Sequence, residues 1–291
     1  FQALYHIFFI SPDIIFSKGG YGSLPTTLAG WLLLTPVFLH ESDVVPGLAN
    51  RISSRFSLEI FVSFPIEKTE YFPREKIIFV GNPIRPELLE GSLDQAKELF
   101  GLVGDKPLIL VLGGSQGSAR INDIILAILP DLLQDFEIVH QTGVKNFGEL
   151  EAEAKTVIGK LPEDLSKYYH AYPFLEEEKL KHIYQAAHLA ISRAGSGTIF
   201  EIAALGKPNI LIPLPEAAQD HQLKNAYAFA ASGACQVFEE SNLTPRFFLE
   251  RVKQLFTEPL KMEKMANSAF EFSKPMSAKL IAEYMLEYLS Q

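Results

Sequence analysis

His188-Leu-Ala-Ile-Ser192, then Arg193-Ala-Gly-Ser-Gly197, a helical stretch through Ala204 and Pro208-Asn-Ile-Leu-Ile-Pro213 read in order as strand, glycine turn, helix and strand. Short Ile- and Leu-rich runs on either side of a helix imply parallel strands covered on both faces. The same order occurs twice more. Pro107-Leu-Ile-Leu-Val-Leu112 leads into Gly113-Gly-Ser-Gln-Gly-Ser118, a helix reaching to Leu133 and the returning strand Phe136-Glu-Ile-Val-His140. Nearer the start, Pro12-Asp-Ile-Ile-Phe-Ser17 leads into Lys18-Gly-Gly-Tyr-Gly-Ser23, a helix near Pro25–Leu34 and Pro36-Val-Phe-Leu-His-Glu41. These are βαβ units rather than turns of a short-period solenoid, and they predict an α/β protein with parallel sheets.

Between the first two units lies Val80-Gly-Asn-Pro-Ile-Arg-Pro86, whose prolines disfavour helix on their amino-terminal side. It is the best boundary in the chain, and it predicts one domain over residues 1–85 and a second over 86–275. A new helical segment opens at Leu93–Phe100, and Phe247–Phe256 and Ala278–Leu289 are amphipathic helices. The break at Lys274-Pro275 predicts that the last helix, within 276–291, packs back on the first domain. The chain opens on Phe1 and Phe1–Ile10 reads as the tail of an element, so the expectation is an incomplete first domain.

The 291 residues carry 26 Lys and Arg against 35 Asp and Glu, a net charge of −9 that argues against nucleic acid as a partner. The longest apolar stretches, Leu4–Ile10 and Trp31–Leu39, are too short to cross a bilayer or are interrupted by Pro36. A single cysteine, Cys235, excludes an internal disulfide and fits a reducing cytosol.

Chemistry concentrates at the turns. Glycines in Gly113–Ser118 and Arg193–Gly197 let backbone N–H groups close on a ligand, and each following helix offers a partly positive end to a phosphate. Neither turn is a P-loop, since no Gly-Lys-Ser/Thr follows, and neither is a clean dinucleotide fingerprint. Glu201 lies three residues after Thr198. It fits a capping box as well as it fits a carboxylate accepting from the two hydroxyls of a ribose. Asp220 is a good N-cap, and His221, Gln222 and Asn225 place imidazole and amide groups in about one turn, able to read sugar hydroxyls or simply solvated. Arg85 is either a surface ion-pair partner or a charge facing a pyrophosphate, and general-base work fits His40 or Glu41. The remaining histidines lack metal-ligand spacing and there is no Asp-x-Asp pair, so neither metal nor cofactor is expected.

Gly19-Gly-Tyr-Gly-Ser23, Leu39-His-Glu-Ser-Asp-Val-Val-Pro-Gly-Leu-Ala-Asn50, Val80-Gly-Asn-Pro-Ile-Arg85 and Gly113-Gly-Ser-Gln-Gly-Ser-Ala-Arg120 resemble the MurG family of lipid I N-acetylglucosaminyltransferases. So do His140-Gln-Thr-Gly143, Arg193-Ala-Gly-Ser-Gly-Thr-Ile-Phe-Glu-Ile-Ala-Ala204 and Asp220-His-Gln-Leu-Lys-Asn-Ala226. The resemblance runs in family order from Pro12 to Phe238. It implies the GT-B fold, two Rossmann-like domains facing across a cleft. It also implies inverting transfer of GlcNAc from UDP-GlcNAc to the C4 hydroxyl of lipid I, forming lipid II, by a peripheral enzyme at the cytoplasmic face of the plasma membrane. By position, Arg85 and Ser115 fall to the donor diphosphate, Gln116 to the donor site beside them, and Leu175 to main-chain contacts with uracil. Ser196, Gly197, Thr198, Ile199, Phe200 and Glu201 form the segment under the phosphates, with Glu201 on the ribose. His221 and Gln222 stand where the family reads GlcNAc hydroxyls, with Asn225 nearby.

There are two departures. Asp43, after Ser42, stands near a position where the family carries an asparagine of the donor site, and it can accept but not donate. The family's first loop, Gly-Gly-Thr-Gly-Gly-His, which carries its proposed base, is absent, so no catalytic base is assigned and donor binding is expected to survive better than catalysis. Two rival readings follow: a UDP-GlcNAc 2-epimerase, which would turn over its substrate without an acceptor, and the donor-binding half of a split transferase. Trp31 and Leu32–Leu34 are open to a membrane-facing role, with core packing the expectation for most of them.

Overall fold

The computed structural model describes residues 1–65, 71–114, 116–215 and 217–290. The chain divides into two compact units, Phe1–Ile84 with Lys274–Gln291, and Arg85–Ser273. The first unit runs α1 (Gln2–Ile10), β1 (Ile15–Ser17), α2 (Leu24–Leu32), β2 (Val37–Glu41), α3 (Leu48–Ser53), β3 (Glu59–Val62) and β4 (Ile77–Phe79). Its strands form one parallel sheet in the order β1-β2-β3-β4. β2 is buried along its whole length, as a central strand covered on both faces must be.

The second unit runs α4 (Leu93–Phe100), β5 (Leu108–Leu112), α5 (Ala119–Asp135), β6 (Glu137–Gln141), α6 (Phe147–Ile158), β7 (Tyr169–Tyr172) and α7 (Glu177–Ala186). It continues through β8 (Leu189–Ser192), α8 (Ser196–Ala204), β9 (Asn209–Leu211), α9 (His221–Ala231), β10 (Gln236–Val237), α10 (Pro245–Thr257) and α11 (Pro259–Phe272). The sheet order is β10-β9-β8-β5-β6-β7, with every pair parallel. The chain therefore steps from β5 outward to β7, then returns to lay β8 on the other side of β5. That reversal opens a crevice at the carboxyl ends of β5 and β8, where ligands of open α/β sheets gather.

Strand periodicity divides the core of this unit. Ile109 and Val111 of β5 face one cluster with Ile124, Ile128 and Leu132 of α5. Leu108, Leu110 and Leu112 face the other, with Ile183 and Tyr184 of α7. The buried residues of α5 recur at three- and four-residue steps, and the Ser118 hydroxyl caps the helix by accepting from Ile121 N–H at 3.2 Å.

α11 stops at Phe272 and α12 (Ser277–Leu289) returns to the first unit. There Ile281 packs with Phe38, Phe61 and Val80, and the Tyr288 and Tyr284 rings meet Phe38 and Phe61 edge-on. Core packing for the leucines after Trp31 holds only for Leu33. Leu32 is 61% exposed, because the buried face of α2 is the narrow one of Thr27, Ala29 and Gly30, and Leu34, past the end of that helix in a left-handed conformation, is 90% exposed. Among the described residues, no helix is long and apolar enough to cross a membrane.

Candidate functional site

Leu112 and Ser192 are register partners, so the turns after β5 and β8 emerge side by side at one sheet edge. Each runs directly into a helix N-terminus, α5 behind Ser118 and α8 behind Gly195. A pocket of about 510 Å³ opens there, lined by Arg85, Gly114, Gln141, Phe174 to Glu177, Tyr184, Gly197, Thr198 and Glu201, all from the second unit. The first turn of α8 and the backbone at Gly114 facing one concavity suit a bound anion.

The pocket's charges are already organised. Arg85 donates through Nη1 to Glu177 Oε2 and through Nη2 to Glu201 Oε1, both at 2.9 Å. The buried Tyr184 hydroxyl donates to Glu201 Oε2 at 3.4 Å. The capping-box reading of Glu201 is thereby corrected: α8 begins two residues before Thr198, and both Glu201 oxygens turn to side chains. Burial raises the Glu201 carboxyl above the ordinary glutamate range, with the facing guanidinium pulling the other way. Arg85 is correspondingly no free surface charge but the bridge between two carboxylates.

Of the residues expected at a donor, Arg85, Leu175, Gly197, Thr198 and Glu201 meet in this pocket. Leu175 brings less main chain than expected, since its N–H already donates to Gln141 Oε1 at 2.9 Å and its side chain is buried. Ser196 is the first residue of α8, half-buried, and Gln116 is exposed on the turn after β5. Ile199 and Phe200 are corrected to core residues, 0% and 1% exposed, with no side-chain surface to offer a ligand. Ser115 lies outside the described residues.

His221, Gln222 and Asn225 do not line the pocket. Gln222 Oε1 accepts from Leu214 N–H at 3.0 Å, fastening the loop after β9. Asn225 is fully buried and its amide donates to the Ala194 carbonyl at 3.4 Å, so it acts on the turn after β8 rather than on an exposed sugar. His221 is half-buried at the start of α9. Asp220 holds the N-cap position in a left-handed conformation with no side-chain cap bond, and Gln219 before it is left-handed too. Two consecutive non-glycine residues there store local strain.

Arg193 was missed by motif reading. Its guanidinium donates to the Ile212 carbonyl at 3.0 Å and to Ser118 Oγ at 2.6 Å, and it pairs with Glu240. One planar fork thus ties the ends of β8 and β9 to the cap of α5. Glu177, Tyr184 and Gln141 were also missed. Tyr184 and Gln141 are polar residues buried in their elements, whereas Glu177 sits in the acidic run Glu176–Glu178 at the start of α7, where composition carried no signal.

In the first unit, general-base work by His40 or Glu41 is not supported. His40 is fully buried, with Nε2 3.3 Å from both the Gly81 carbonyl and Ser63 Oγ, and burial with nearby Lys18 lowers it to about 4. Glu41, 3% exposed, spends its oxygens on Asp43 N–H at 3.0 Å and Asn50 Nδ2 at 2.7 Å. Asp43 is half-buried beside it. Burial pushes the Cys235 thiol up to about 12, which removes it as a thiolate nucleophile.

Two family models match the chain: the glycosyltransferase family 28 C-terminal domain over residues 108–281 and the N-terminal domain of the same family over residues 1–62. The UDP-N-acetylglucosamine–N-acetylmuramyl-(pentapeptide) pyrophosphoryl-undecaprenol N-acetylglucosamine transferase of Clostridium kluyveri is 37% identical over 286 residues, 98% of this chain and 77% of that protein. A transferase of the same name from Bacillus thuringiensis is 39% identical over 247 residues, 84% of this chain and 66% of its own length. Among solved structures, Acinetobacter baumannii MurG superposes with a TM-score of 0.76 at 26% identity, covering 98% of this chain and 77% of that one. UDP-GlcNAc 2-epimerase from Neisseria meningitidis reaches 0.71 at 19% identity, covering 98% and 78%, a likeness of fold alone.

Proposed function

We infer the activity from one premise: the chain belongs to glycosyltransferase family 28. Its fold is that of GT-B glycosyltransferases, and it transfers N-acetylglucosamine from UDP-GlcNAc to lipid I, making lipid II for peptidoglycan. The epimerase reading is supported only at the level of fold. The donor site is the pocket at the β5–β8 reversal, and the observation that carries this is the convergence there of the α8 N-terminus, Arg85 and Glu201.

In this reading the diphosphate lies on the amides after β5 and β8 and takes Arg85, while the ribose hydroxyls take Glu201. A general base takes the proton of the acceptor's C4 hydroxyl, whose oxygen attacks the anomeric carbon from the face opposite UDP as the bond to the diphosphate breaks, inverting that carbon. Charge developing on the departing diphosphate is held by the α8 helix end and the guanidinium, which are fixed before the reaction begins. No metal is required for that stabilisation. The exposed Phe8, Phe9, Trp31, Leu32 and Leu34 of the first unit support a surface that rests on the cytoplasmic face of the membrane holding the acceptor.

Calorimetry with UDP in chelator tests the donor site. Wild type should bind, and Arg85→Ala should weaken UDP more than uridine. Absence of UDP binding, or strict dependence on Mg²⁺ or Mn²⁺, would overturn it. Flotation with anionic liposomes tests the membrane surface, with Trp31→Ser and Leu34→Ser expected to release the protein.

A further inference from the structure

Gln141 closes β6, is 6% exposed, and yet lines the pocket. Its amide makes two bonds of opposite sense. Nε2 donates to the Gly114 carbonyl at 3.0 Å, and Oε1 accepts from Leu175 N–H at 2.9 Å. A carboxylate could only accept and an ammonium only donate, so a side-chain amide of this length is what the pair of partners demands. The two partners belong to different walls of the pocket: the turn after β5, and the segment after β7.

The neighbouring backbone reinforces the first of these links. A Cβ on Gly117 would lie 2.1 Å from the Thr142 carbonyl oxygen, and one on Gly143 would lie 2.4 Å from that of Gln116. The turn after β5 is therefore pressed directly on the turn after β6. Asn122 Nδ2 donates to the Thr142 carbonyl at 3.0 Å, and Asn122 Oδ1 sits 3.1 Å from His140 Nε2. The carboxyl end of β6 is the fixed template, and among the described residues Gln141 is its side chain that bonds to both walls.

Resting on the donor-site reading above, we propose that Gln141 is a positioning residue that couples the diphosphate-facing turn to the Phe174–Glu177 wall. Nucleoside and diphosphate are then bound cooperatively rather than independently. The prediction concerns a ratio, not an affinity. Uridine, UMP and UDP are titrated into wild type, Gln141→Leu and Gln141→Glu. In Gln141→Leu the UDP-to-uridine affinity ratio should fall at least tenfold. Gln141→Glu keeps the acceptor for Leu175 but opposes the Gly114 carbonyl, so it should lose the ratio while holding uridine within about threefold of wild type. Amide exchange should quicken at Gly114, Gln116 and Gly117 in both variants and stay slow along β5. Equal losses for all three ligands, or an unchanged ratio, overturn the coupling and leave the donor site standing. A wild type that binds none of the three overturns the donor-site reading and this proposal with it. If Gln141→Leu does not fold, Gln141→Glu decides by the same ratio.

Discussion

Replacing Glu201 by Gln separates service to a ligand from service to the fold. In the free protein the carboxylate takes one charge-assisted bond from Arg85 at 2.9 Å and a longer one from Tyr184 at 3.4 Å. The Arg85 side chain is 44% exposed, so solvent screens the pair and its loss costs stability only about 1 kcal/mol. Gln keeps the shape and one acceptor, which softens that loss further. A ribose would use the same carboxylate differently, presenting two hydroxyl donors to a group that burial has stripped of water. Leaving them poorly paired costs about 1–3 kcal/mol, or roughly 5- to 150-fold in Kd. Freeing Arg85 for the diphosphate works in the opposite direction but is bounded by the same screened pair. The net expectation is weaker UDP binding with little change in stability. Calorimetry with UDP and with its 2′,3′-dideoxy analogue reads this out, since the analogue should bind both proteins alike. A UDP affinity within twofold of wild type refutes the reasoning, as does an equal loss for the analogue. Acid adds a second signature. Because burial raises Glu201, wild-type binding should begin to fail above the usual glutamate range as pH drops, and Glu201→Gln should lack that limb.

Gly117→Ala should cost about 3 kcal/mol or more in urea unfolding, because the new Cβ meets a carbonyl at 2.1 Å as well as a left-handed backbone. Gly114→Ala, with the same backbone sign and open space around it, should cost about 1 kcal/mol, and equal losses would refute the steric lock. Arg193→Lys should lower stability by about 2–4 kcal/mol, since one ammonium cannot span Ile212, Ser118 and Glu240 together; an unchanged melting temperature contradicts this. Burial lowers His140 from 6.5 to about 3, so as pH falls the unfolded chain takes up the proton first. Stability present above pH 6.5 is then lost on acidification, about 2 kcal/mol of it between pH 7 and pH 5. His140→Gln should flatten that slope, and parallel slopes for variant and wild type would refute it.

The three βαβ units were legible because each rests on strands such as Leu108–Leu112, buried at every position and flanked by glycine turns. Strands without that signature left no trace. β10 has two half-buried residues at a sheet edge and β7 reads Tyr-His-Ala-Tyr, so neither shows an unbroken apolar run, whereas β4 reads Ile-Ile-Phe before Val80-Gly81 and carried a strand signal of its own. Leu32 shows the converse failure. Apolar composition near a helix was read as core, but orientation about the helix axis decides burial, and α2 turns small residues inward.

At the site, what the sequence carried was local and what it withheld was partnership. A glycine turn before a helix is visible within six residues, so Gly113–Ser118 and Arg193–Gly197 stood out as anion cradles. Glu201 fitted a cap as well as a ribose contact because its nearest visible neighbour was Thr198, whereas its partner Arg85 lies 116 residues away. The sheet order places β8 beside β5 and brings two distant turns into one wall of charge. Gln141 shows how such a partnership announces itself without naming its members. A buried amide at the end of Glu137-Ile-Val-His-Gln141 must be satisfied on both its donor and its acceptor, or it costs about 1–3 kcal/mol. A polar side chain buried in a strand is therefore local evidence of a non-local bond, and the register of the sheet decides which loop completes it.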